Sequence, residues 1–177
     1  MPPRDGPAAI KRRLDYRPPA FLVDRVALEF DLEPAATEVK ATLAFRRNPA
    51  AAPEDRRAPL ALDGEQQEIV RVELGGRALS SAEAIVTSAG LTIPDAPDAG
   101  TLVVRSRTAP ERNVALEGLY VSSGVFCTQC EAEGFRRITY FPDRPDVLAT
   151  YTVTLRADRD RFPVLLDVVD LQHGVWS

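Results

Sequence analysis

Between Phe21 and Leu155 apolar residues return at every second position, in short runs cut by proline and glycine. Val26, Leu28 and Phe30 alternate with Ala27, Glu29 and Asp31. Val39, Ala41, Leu43 and Phe45 alternate with Glu38, Lys40, Thr42 and Ala44. Period two puts one apolar row on one face of a strand, so each run buries a single side. The break Leu32-Glu33-Pro34-Ala35-Ala36 between these two runs predicts an antiparallel hairpin. Val70, Val72 and Leu74 repeat the pattern up to a Gly75-Gly76 turn, and Tyr151, Val153 and Leu155 repeat it late in the chain. Leu60–Leu62, Ala84–Val86, Leu91–Ile93, Leu102–Arg105 and Val164–Leu166 are shorter strand candidates, and the three prolines between Asn48 and Pro59 mark a loop. No stretch carries a long helical stripe. Residues 133–148 could hold partial helix, but Pro142 and Pro145 break it. The predicted fold is all-β: a large curved, mixed or antiparallel, saddle-like sheet or a sandwich, with little helix.

The 177 residues suit one domain, and 45% hydrophobic content supplies a core. A Pro-rich, charged stretch over residues 1–13 reads as a disordered leader, with the β domain over 14–177. A net charge of -4 argues against nucleic-acid binding. No apolar run reaches membrane-spanning length, and the first residues lack the apolar stretch of a signal peptide, so a cytoplasmic location is the default.

The chemistry is concentrated in Cys127-Thr128-Gln129-Cys130-Glu131-Ala132-Glu133-Gly134-Phe135-Arg136. Two cysteines make no disulfide framework. A structural zinc site needs four ligands, and the single histidine of the chain, His173, adds only one more. A redox pair in this spacing belongs at a helix start in a βαβ setting, which the pattern lacks. Buried structural thiols are the preferred reading, with a small redox or zinc protein as the outlying one. His173 reads as an incidental residue near the end of the chain. Tyr120, Phe126, Phe135, Tyr140 and Phe141 read as core or domain-interface aromatics. Asp143-Arg144-Pro145-Asp146 reads as an ion pair bracing a turn. No Ser/His/Asp or Cys/His triad and no phosphate-cradling glycine loop can be assembled.

The cysteine segment is preceded by Asn113-Val114-Ala115-Leu116-Glu117-Gly118-Leu119-Tyr120 and followed by Asp143-Arg144-Pro145-Asp146-Val147. These phrases, in this order, resemble the N-terminal domain of bacterial aminopeptidase N, a zinc metallo-aminopeptidase. Asp15-Tyr16-Arg17-Pro18-Pro19 and the strand after it resemble the opening of that domain, so the resemblance runs over about residues 14–166. It departs after Leu166, where 167–177 lacks the family's S-N-G-N-like turn, which implies a domain cut short at its C-terminal end.

The resemblance implies that Glu131 binds the α-amino group of a peptide substrate and that Gln129 lines the same pocket. Glu133 is expected to be structural. The family's H-E-x-x-H helix, distal zinc-binding glutamate and G-A-M-E-N strand belong to a following domain. One histidine and one methionine, Met1, cannot supply them. No catalytic and no metal-ligating residue is therefore assigned in this chain, and zinc is the cofactor of the longer family enzyme. The implied function is substrate recognition within an aminopeptidase, inactive alone, with the peptide N-terminus as ligand and a catalytic domain as packing partner. The alternative is a free-standing all-β peptide-binding or scaffolding module. If residues 127–145 normally pack on a catalytic domain, they should expose an apolar patch here.

Overall fold

A computed structural model describes residues 16–163. The proposed leader, the strand candidate Val164–Leu166, the altered tail and His173 lie outside the described residues. Strand accounts for 49% of the structure and helix for 7%, with no helix of seven or more residues. The all-β expectation holds.

Among the described residues eleven strands follow in chain order: β1 Phe21–Leu32, β2 Thr37–Arg47, β3 Leu60–Asp63, β4 Glu68–Leu74, β5 Arg77–Ala78, β6 Ile85–Thr87, β7 Gly90–Ile93, β8 Ala99–Thr108, β9 Gly118–Ser122, β10 Val125–Gln129 and β11 Thr150–Ala157. The main sheet has the order β11-β1-β2-β8-β4-β5. It is mixed: β11 lies parallel to β1, with Val26, Leu28 and Phe30 opposite Tyr151, Val153 and Leu155, and the other pairs are antiparallel. A three-stranded sheet β3-β7-β6 and the β9–β10 hairpin complete the fold.

Side-chain period explains the core. On β2, Val39, Ala41, Leu43 and Phe45 are buried, and their neighbours on β8, Leu102 and Val104, are fully enclosed. Each such Val or Leu contributes roughly 1.5–3 kcal/mol by leaving water. The alternation on β1 breaks once. Phe21 and Val23 point inward, Asp24 and Arg25 are both exposed, and Val26 resumes the inward row, at a register shift between Val23 and Arg25. One extra residue resets the parity of a strand. A second shift on β4, between Ile69 and Arg71, corrects the simple alternation: Val72 is buried, whereas Val70 is 52% exposed.

The opposite face of the sheet carries charge. Glu29 pairs with Lys40 and with Arg156 (3.0 Å), and Arg107 pairs with Glu38 at 2.6 Å. Such exposed pairs each contribute little and specify partner more than stability.

Residues 133–148 contain only a 3₁₀ turn, Phe135–Arg137, and irregular chain. Two backbone hydrogen bonds between Asp63 and Phe141 (2.9 and 3.1 Å) fasten this stretch to the end of β3. The hairpin β9–β10 lies outside the sequence-derived strands. Its turn, Ser123-Gly124, has φ of 51° and 80°, the left-handed geometry of tight two-residue hairpins.

Candidate functional site

The hairpin delivers the chemistry-bearing segment. Gln129 ends β10 opposite Gly118 on β9. The chain then tightens through residues 130–134, where the Gly134 N–H donates to the Cys130 carbonyl at 2.8 Å. Two glycines permit this loop to close on β9. Gly118 has φ of 70°, and a Cβ built there would lie 2.6 Å from Arg137 Cβ. A Cβ on Gly134 would lie 2.4 Å from the Gln129 carbonyl oxygen. Side chains at these positions would prise the loop from the hairpin.

Two arginines then pin the loop. Arg136 donates from Nε to Asp143 at 2.9 Å and from its backbone N–H to the same carboxylate at 3.2 Å. Its Nη1 lies 3.6 Å from Glu133. Arg137 reaches Glu65 and Glu117, each at 3.2 Å, and donates to Gln66 at 2.8 Å. The Asp143 N–H donates to Asp63 Oδ2 at 2.9 Å. Glu133 thus has the structural setting expected of it. In the Asp143–Asp146 stretch, Arg144 and Asp146 form the turn-bracing pair (2.7 Å), and Tyr16 donates to Asp146 at 3.0 Å. Asp143 does something else: it joins Arg136 beneath the loop.

Glu131 is exposed and borders a concavity of about 470 Å³. Leu28, Phe30 and Leu32 from β1 and Tyr151, Val153 and Leu155 from β11 form its floor, and Phe126, Phe135, Cys127, Cys130 and Asp143 form its wall. Gln129 is exposed beside Glu131, with its Nε2 3.4 Å from the Glu131 carbonyl oxygen. The two sequence-derived site residues are therefore adjacent, and Glu131 lies at the rim of a concave surface.

The cysteines depart from expectation. Neither is fully buried: Cys127 is half-buried, Cys130 is exposed, and both are free thiols bordering the cleft. Cys130 keeps some accessible surface, but the surrounding protein desolvates its thiol. That desolvation, assisted by the Asp143 carboxylate, raises it to about 11. A thiol held protonated is a poor metal ligand and a poor nucleophile. Among the described residues no cluster of three or more His, Cys, Asp or Glu could hold a metal ion. The cleft does not fit zinc.

The aromatics divide. Tyr140 and Phe141 are core. Phe126 and Phe135 line the cleft, and Tyr120 is half-buried on β9. The apolar surface expected over 127–145 is recessed in this cleft rather than formed by fully exposed side chains. No large hydrophobic side chain in that range is exposed, while Val114, Leu116, Val125 and Leu148 around it are. Sequence reasoning missed Asp143 and Arg136 as members of the site, because a pair seven residues apart on irregular chain leaves no periodic signal. The β9–β10 hairpin did leave one: Ser123-Gly124 between two short β-prone runs.

The fold and its sequence have counterparts among known proteins. Residues 110–166 match the family model described as the Peptidase M1 N-terminal domain. The resemblance to the N-terminal domain of bacterial aminopeptidase N holds across most of the chain. Aminopeptidase N of Caulobacter vibrioides is 48% identical over 162 residues, covering 92% of this chain and 18% of that protein. Aminopeptidase N of Escherichia coli K12 is 40% identical over 156 residues, covering 88% and 17%. Among solved structures, Legionella pneumophila aminopeptidase A in complex with aspartic acid superposes with a TM-score of 0.81 at 35% identity, over 88% of this chain and 18% of that one. An M1 zinc metallopeptidase from Deinococcus radiodurans shares the fold, with a TM-score of 0.63 at 18% identity over 80% of this chain and 33% of that one. The chain thus spans less than a fifth of the curated relatives it matches, and in them this domain is part of a larger polypeptide. No described helix is long and apolar enough to cross a membrane.

Proposed function

We propose that this chain is the substrate-amine recognition part of an aminopeptidase N-type zinc peptidase, with Glu131 as the anchor and Gln129 beside it. The observation that supports the reading is the exposed Glu131 at the rim of the cleft, on the loop that follows β10. A peptide amino terminus has a pKa near ~8 and is largely an ammonium at neutral pH. A carboxylate accepts a charge-assisted hydrogen bond from it. Fixing the ammonium leaves only the first peptide bond within reach of a neighbouring catalytic centre, which gives exopeptidase specificity through positioning. Zinc, held by another part of the longer polypeptide, would supply the activated water and the Lewis acid. This chain's residues contribute the anchor and the wall around it. Two free cysteines accord with a reducing cytoplasm.

The test has two arms. A dipeptide with a free amine should bind the purified chain, and its N-acetylated counterpart should not. Release of amino acids from an aminoacyl reporter should be absent with or without added zinc. Equal binding of the two dipeptides, or chelator-sensitive release by this chain alone, would overturn the proposal.

A further inference from the structure

Where the end of β8 meets the β3–β4 loop, the molecule has another concavity, of about 260 Å³, that shares no lining residue with the cleft at Glu131. Its lining carries charge of one sign. Arg112 and Arg137 are its charged side chains, and Gln66, Thr108 and Asn113 are the polar ones. The carboxylates that offset Arg137, Glu65 and Glu117 at 3.2 Å each, are not part of that lining. Arg112 is exposed, and its guanidinium has no ion-pair or hydrogen-bond partner among the described residues. Arginine can only donate, so Gln66 turns its oxygen to Arg137 Nη1, at 2.8 Å. That orientation leaves the Gln66 NH₂ group without a partner among the described residues. Asn113 is already committed: its Nδ2 donates to the carbonyls of Glu117 and Leu119, and its Oδ1 accepts from the Ala115 N–H. Gln66 has a φ of 56°, left-handed backbone that is uncommon outside glycine. Its neighbours hold it there, because the Glu65 N–H and the Gln67 Nε2 both donate to the Arg136 carbonyl, at 3.0 and 2.7 Å. Backbone kept in such a conformation by its surroundings clusters at ligand sites.

A hollow walled by two guanidiniums, an amide NH₂ and a hydroxyl, with no carboxylate in the wall, suits an oxyanion. Its donors come from four stretches of chain. Gln66 lies in the loop after β3, Thr108 ends β8, and Arg112 and Arg137 close the 3₁₀ turns Pro110–Arg112 and Phe135–Arg137. A planar carboxylate accepts its hydrogen bonds near one plane, whereas a phosphate offers oxygens in several directions. We propose that this hollow binds a phosphate group, free or as the head of a small phosphomonoester, with Arg112 as the principal charge and Arg137, Gln66 and Thr108 as donors around it. The chain has a net charge of -4, so general attraction does not draw anions to it and a local arrangement must. A shallower hollow of about 480 Å³ adjoins the first through Gln66, Thr108 and Ala109 and gives the body of an ester room. The site does not depend on the amine-anchor role of Glu131.

The test is a chemical-shift titration of the full 177-residue chain at about pH 7.5 and constant ionic strength, with inorganic phosphate, O-phosphoserine and acetate as probes. Phosphate should move the Gln66, Thr108 and Arg112 resonances along one saturable curve, with a Kd on the order of 1 mM. Acetate should bind at least about tenfold more weakly. Tighter binding of O-phosphoserine identifies an ester as the ligand, and tighter binding of inorganic phosphate identifies the free ion; either supports the site. Arg112 is exposed, so its replacement leaves the core intact. Arg112→Gln should weaken phosphate at least about tenfold. Arg25→Gln, which removes an exposed charge outside the hollow, should leave phosphate binding unchanged. Equal weakening by both substitutions would reduce the effect to net charge and overturn the site. Acetate binding as tightly as phosphate, or no saturable shift at these three residues, would overturn it as well.

Discussion

At the scale of single residues, the cleft separates groups that the sequence presents as neighbours. Gln129 and Glu131 are exposed, and Glu131 lies at the rim. Cys130, between them, keeps accessible surface yet has its thiol in the desolvated interior. Its ionisation is displaced from an ordinary value of 9.0 to about 11. Alkylation of Cys130 by iodoacetamide, followed by mass spectrometry, should therefore rise with an inflection near pH 11. An inflection near pH 9 would mean the thiol is fully solvated. The shift also bears on stability. Between about pH 9 and about pH 11 the unfolded chain loses this proton and the folded chain keeps it, so stability falls as pH rises through that window. Glu131 stands out in the sequence because it sits in an extended phrase, Cys127 to Arg136. The ion pair expected to brace the turn over 143–146 is Arg144–Asp146, whereas Asp143 pairs with Arg136, a choice that only tertiary structure makes.

At the scale of elements, the strands that alternate strongly were legible and the irregular ones were not. β1, β2 and β11 carry their rows of Val, Leu and Phe openly. The parity breaks near Asp24 and Val70 left no clear mark, since a bulge inserts one residue without changing composition. The parallel pairing of β11 with β1 was open as well: a mixed sheet was foreseen, but alternation says nothing of strand direction. The β9–β10 hairpin positions the site through two glycines in different circumstances. Gly124, with φ of 80°, faces open space, whereas Gly118, with φ of 70°, backs onto Arg137. Gly124→Ala should cost about 1–2 kcal/mol from left-handed backbone alone. Gly118→Ala should cost more, because the contact adds to the same backbone penalty, and it should weaken amine binding by moving the loop. Urea denaturation of both variants measures this. Equal losses would mean that the loop does not pack on β9 as described.

At the scale of the whole molecule, the β domain has a charged outer sheet face and a recessed cleft with Glu131 at its rim. The ion pairs that decorate it set its acid response. Glu29, hydrogen-bonded by Lys40 and Arg156, lies below its ordinary 4.5, and Asp146, bonded by Arg144 and Tyr16, lies below its ordinary 3.8. Glu83, held by Arg77 and Ser80, reaches about 2. Carboxylates lowered on folding stabilise the folded state above their unfolded values, and that stability is lost as pH falls through the folded ones. Denaturation midpoints should be level above about pH 5 and fall progressively toward about pH 2, modestly because the groups are exposed. A midpoint unchanged down to about pH 2 would contradict these pairings. The central claim is tested most directly by the affinity of a free-amine dipeptide for the 177-residue chain as a function of pH, in the natural sequence and in Glu131→Gln. Binding should fall as pH rises through the peptide amine's pKa of ~8, and Glu131→Gln should abolish that dependence by removing the binding itself. Affinity that is flat across that range, or unchanged in Glu131→Gln, would contradict it.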